Sequence, residues 1–159
     1  MKPLVLRITL AGRAAFICSA LWIVAAHARD IDTILTGERG HALRGFDPVA
    51  YFTLDSAVRG DTAYALEWAD VTWLFSSDKH RRLFVENPSK YVPQYGGFCA
   101  YGVRFWRKVV TNPRAFSIVD GKLYLNLNDR IRKQWEKRTA RNIRKADHRW
   151  ARVQWKDRT

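Results

Sequence analysis

Apolar residues recur near the C-terminal end at the spacing of a helix. Ile131, Trp135, Thr139, Ile143, Ala146 and Trp150 are separated by four or three positions, so they share one helical face. Arg132, Lys133, Lys137, Arg138, Arg141, Arg144 and Lys145 occupy the remaining faces. The pattern predicts a long basic amphipathic helix over 128–159 that docks its tryptophan stripe on the rest of the chain. Upstream the periodicity is shorter. Ala63 to Trp68 and Val71 to Phe75 are β-prone runs around Ala69-Asp70, and Ala115 to Val119 and Lys122 to Asn126 flank Asp120-Gly121. Both read as hairpins, the second with the strongest turn signal.

Turn chemistry places the other elements. Gly45-Phe46-Asp47-Pro48 breaks the chain, and Val49-Ala50-Tyr51-Phe52 after it reads as a strand. Ser76-Ser77-Asp78 supplies an N-cap and an acidic first turn for a helix that must stop near Asn87, ahead of Pro88. A short helix over 98–103 follows the Gly96-Gly97 pair. These elements predict an α+β fold: a small antiparallel sheet, one short helix and a long amphipathic C-terminal helix.

The N-terminal residues carry a different signal. Lys2, Arg7 and Arg13 precede an uncharged apolar run over 14–26, and Ala26-His27-Ala28 ends it with small residues at the two positions a signal peptidase reads. The expectation is a signal peptide over 1–28 cleaved after Ala28, with a periplasmic or secreted product. An extended lead-in over 29–44, an α+β core over 45–127 and the basic helix complete the organisation.

Charge sharpens the picture. Removing the three N-terminal cations lowers the formal net charge from +13 to +10. Residues 128–159 hold twelve Lys or Arg against four Asp or Glu, a net +8. A basic face of this kind meets anionic lipid or an acidic protein, with Arg138, Arg141 and Lys145 as candidate contacts. In an exported chain, nucleic acid is the least expected partner.

The chain has two cysteines, and Cys18 lies inside the export segment. Cys99 is then a lone exported thiol: a buried small hydrophobe, a metal ligand or a reactive group. At the first turn of a helix after Gly96-Gly97, exposed amides would favour its thiolate. His80, flanked by Lys79, Arg81 and Arg82, is the candidate second ligand, since nearby cations favour neutral imidazole. A Cys and His pair suits copper before zinc. Zinc needs further ligands, for which Tyr51, Tyr95, Asp47 and His41 are available. Asp47 before Pro48 also suits a turn to its own backbone. Ser76-Ser77 reads as a helix cap rather than a nucleophile. The sequence has no HExxH, no CxxC and no phosphate-cradling glycine loop.

Several blocks resemble the YHS domain: Asp47-Pro48-Val49-Ala50-Tyr51-Phe52, Trp73-Leu74-Phe75-Ser76-Ser77 with His80 and Phe84, and Asn87-Pro88 with Tyr91. Tyr95 to Ala100, Gly121 to Asn126 and the terminal helix resemble its exported bacterial branch. The resemblance spans roughly residues 40–150. It implies a small binding module, similar to metal-binding modules found beside copper-transporting ATPases. Ala50 stands where the metal-handling versions carry cysteine. Three functional expectations follow: binding of a soft metal or a small thiol-reactive ligand through Cys99 with His80 as its partner, docking of the basic helix on an anionic surface, or thiol redox chemistry at Cys99.

Overall fold

The computed structural model describes residues 34–154. The expected signal peptide and its cleavage point lie outside them. The architecture is α+β, with two separate two-stranded antiparallel sheets rather than one. Strand β1 (Asp61–Trp68) pairs with β2 (Val71–Phe75), and β3 (Asn112–Val119) pairs with β4 (Lys122–Asn126). Both hairpins turn where the sequence predicts: Ala69 and Asp70 carry positive φ in the first, Asp120 and Gly121 in the second.

Helix α1 (Ala50–Thr53) occupies the segment expected to be a strand. The cause is local. Asp47 Oδ1 accepts from the amides of Val49 and Ala50 at 2.8 and 3.3 Å, which starts a helical turn despite the β-prone residues that follow. Helix α2 (Asp78–Glu86) begins at Ser77, whose Oγ accepts from the His80 amide, and α3 (Pro88–Tyr91) begins directly after Asn87. Helix α4 (Ala100–Val103) is a single turn that opens at Cys99.

The terminal helix is broken. Helix α5 (Asp129–Glu136) ends at Lys137, Arg138 leaves helical geometry, and α6 (Thr139–Val153) restarts. No glycine or proline marks the break. Instead the buried Asn142 side chain donates to the Trp135 carbonyl at 2.6 Å, capping α5 from within α6. The tryptophan stripe survives the break, with Trp135 fully buried and Trp150 half-buried.

Two cores result. One gathers Tyr51, Trp73, Phe75, Phe84, Leu123 and Leu125, and the other gathers Tyr95, Val103, Tyr124, Trp135 and Ala146. Alternation along β4 explains the division: Leu123 and Leu125 face one core, and Tyr124 faces the other. Each large side chain so buried is worth about 1.5–3 kcal/mol of transfer free energy.

The lead-in is also more ordered than expected from its first described residue onward. Thr36 bridges Ala42, His41 bridges Thr72, and the Leu35 amide donates to the Gly96 carbonyl at 2.7 Å. Leu35, Ala42 and Leu43 are buried, and that apolar contact holds the segment down.

Candidate functional site

Asp47 is the polar centre of the first core. Its carboxylate is fully buried, so every lone pair needs a donor. Oδ1 takes the amides of Val49 and Ala50, and Oδ2 takes the Ser76 amide at 2.8 Å, the Ser76 hydroxyl at 2.6 Å and His80 Nδ1 at 2.6 Å. The other ring nitrogen of His80, Nε2, lies 3.1 Å from Thr53 Oγ1. The expected Asp47 turn is therefore present, with a histidine and a serine added to it.

This geometry joins acid, imidazole and hydroxyl, yet it does not aim Ser76 as a nucleophile. In a Ser-His-acid relay the hydroxyl faces the imidazole nitrogen that the acid leaves free. Here Ser76 Oγ lies on the same nitrogen as Asp47, 3.2 Å from Nδ1, and gives its proton to the carboxylate. The cluster ties the turn at 47–50, the end of β2 and helix α2 to one point. The sequence sets His80 among Lys79, Arg81 and Arg82. Arg81 and Arg82 turn instead to Asp78, whose carboxyl is held below the usual range, first by the Arg81 hydrogen bond.

Cys99 sits elsewhere in the bonding pattern. Its side chain is 2% exposed, and Sγ donates to Asn126 Oδ1 at 3.6 Å. Burial pushes the thiol up, against the opposing pull of the backbone amides of Gly102, Leu127 and Tyr101. Amides do point at the sulfur, as the helix-start argument expected, but desolvation outweighs them.

The remaining expected ligands are dispersed. The Tyr51 hydroxyl donates to the Pro113 carbonyl at 3.1 Å, and Tyr95 donates to Asp147 Oδ1 at 2.7 Å. Both hydroxyls are pushed up, chiefly by burial. His41 is half-buried and lines a groove with Arg39, Arg44 and Arg59. Of the proposed ligand set, the fold brings Asp47 and His80 together. Both His80 nitrogens already have partners, and no group of three or more His, Cys, Asp or Glu among the described residues is placed to hold a metal. The described residues thus offer no three-donor set for zinc, and Cys99 and His80 each bond to other partners.

The basic face is built differently. On α6, Arg141, Lys145 and Arg149 recur every four residues along one line. Arg104 joins them from the loop after α4, anchored by its Nη1 donating to Asn142 Oδ1 at 2.6 Å. The Lys145 ammonium is pushed below its ordinary range, first by Arg141 and then by burial, Arg104 and Arg149. The same loop presents Phe105, half exposed, and Trp106, over whose ring the Arg149 guanidinium lies at 5.1 Å. Arg138 is exposed at the N-cap of α6, one turn ahead of Arg141.

Sequence reasoning missed Thr53, Ser76 and Asn126 as partners of the candidate residues, and Arg104 as part of the basic face. No short-range pattern announces them, because each meets its partner across 27 to 41 residues of chain or sits on a loop with no periodicity. No family model, curated protein or solved structure matches the chain.

Proposed function

We propose that this protein is an interaction module that docks its basic C-terminal face on an anionic lipid surface. The line of Arg141, Lys145 and Arg149 at four-residue spacing on α6, with Arg104 anchored to Asn142 of the same helix, carries the reading. Cations set this close together repel, and an anionic surface relieves that repulsion. The aromatic pair beside them supports lipid over an acidic protein. Phe105 is exposed next to Trp106, and apolar rings flanked by Arg and Lys suit the membrane interface. The blocks that resemble the YHS domain support a binding module, and the export pattern of residues 1–28 supports a periplasmic or secreted location.

Vesicle co-sedimentation tests the reading, comparing phosphatidylserine-containing with pure phosphatidylcholine vesicles. Binding should require the anionic lipid and fall as salt rises from about 0.1 M to about 1 M, where the screening length shrinks from about 10 Å to about 3 Å. Charge reversal at Arg138, Arg141 and Lys145 should weaken it, each cation being worth about 1 kcal/mol near an anionic surface. Equal binding to neutral vesicles, or no salt dependence, would remove the proposal. Capture by a polyglutamate resin without vesicle binding would move the partner to an acidic protein.

A further inference from the structure

The loop over 37–41, the turn at 43–45 and the start of β1 line a groove of about 540 Å³. Its lining includes Arg39, His41, Arg44 and Arg59, together with Glu38 and Asp61. We infer that this groove is a binding site for a small molecule carrying one oxyanion group, a carboxylate or a phosphate.

The central observation is a guanidinium held ready. Arg59 donates from Nη1 to the Arg44 carbonyl at 2.9 Å, and its Cζ lies 4.4 Å from the centre of the Phe46 ring. Hydrogen bond and ring fix its position, so little side-chain freedom remains to be lost when it meets an anion. None of Arg39, Arg44 and Arg59 has a carboxylate ion-pair partner among the described residues. The floor of the groove is Gly45. A Cβ there would stand 3.8 Å from Arg59 Nη1 and 3.9 Å from His41 Nδ1. The Arg59 guanidinium and the His41 imidazole thus border the same glycine.

Backbone conformation gives independent support. Leu43, Arg44 and Gly45 run consecutively at φ of 51°, 57° and 81°. For the two residues with side chains this conformation costs on the order of 1–2 kcal/mol each, and such strain concentrates where a site is shaped. The lining also limits the ligand. Arg44 turns its Nη1 to the Thr111 carbonyl at 3.3 Å, which leaves Arg39 and Arg59 facing Glu38 and Asp61, a balance that suits a single oxyanion group rather than a polyanion. Asp61 is turned partly away, accepting from the Ala63 amide at 2.9 Å.

Acetate and inorganic phosphate, titrated into the full chain at constant ionic strength, test the site by ¹H–¹⁵N NMR. The Arg59 and His41 side-chain signals should move and saturate with at least one of the two, and the stronger response identifies the group preferred. Arg59→Gln should weaken that response by about tenfold or more, and His41→Gln should reduce it too. Arg144→Gln, on α6, should leave it unchanged. The inference fails if chloride produces the same shifts, if neither anion saturates, or if an Arg59→Gln variant with a native spectrum binds as well as the parent.

Discussion

His80 Nδ1 lies 2.6 Å from Asp47 Oδ2, across 33 residues of chain and inside the first core. Asp47 is fully buried, so the contact is insulated from solvent. A buried acceptor left without its donors, or a donor left without its acceptor, costs more than the bond itself contributes.

Asp47→Ala should therefore destabilise the fold by about 3–5 kcal/mol, because it orphans His80 Nδ1, the Ser76 amide and hydroxyl, and the amides of Val49 and Ala50. Urea unfolding should show a lower midpoint with an unchanged m-value. A loss under about 1 kcal/mol would mean that the cluster is not the tie described above.

Cys99 should resist alkylation in the native protein and react promptly once unfolded. The sulfur is enclosed, and burial holds the thiol in its protonated form. Iodoacetamide labelling followed by mass spectrometry, with and without guanidinium, measures the contrast. Rapid native labelling near neutral pH would restore the redox expectation for this thiol.

Alkaline pH should unfold the protein. Tyr124 is pushed up to about 12, chiefly by burial, and Tyr51, Tyr95 and Cys99 are raised in the same sense. These acids hold their protons more tightly when folded than when unfolded. Their contribution is complete below the ordinary values of 9.0 for the thiol and 10.0 for the phenols, and is lost as pH rises through the folded values. Unfolding free energy measured from pH 8 upward should fall beyond that point. Absorbance at 295 nm should show tyrosine ionisation coinciding with loss of near-ultraviolet circular dichroism. Ionisation of all tyrosines while the dichroism persists would contradict the buried placement.

Asn142→Ala should cost about 1–3 kcal/mol, the range for a buried group left unsatisfied. It removes the cap on the Trp135 carbonyl and the acceptor that holds Arg104. The same variant should loosen the loop over 104–108, seen as increased amide exchange there. Stability equal to the parent would show that the break between α5 and α6 is held by packing alone.

What the sequence disclosed was local. Asp120-Gly121, Ala69-Asp70 and the Ser77 cap act within a few residues of themselves, and each stands where the pattern placed it. The strand expected at Val49 to Phe52 was misjudged because the Asp47 side chain, two residues upstream, organises those amides into a helical turn. The helix break at Arg138 was hidden because a side chain four residues downstream closes α5, without altering the apolar spacing. The candidate ligands divided for the same reason. Spacing reports which residues share a face, whereas Cys99 and His80 acquire Asn126 and Asp47 as partners from distant segments.

Strand β4 turns alternate residues into opposite cores, so it is a partition whose two surfaces belong to different compartments. Neither compartment can dissolve while the other stays sealed, since both would lose the same wall. A chain of this size can thus hold two aromatic interiors and still unfold as a single body.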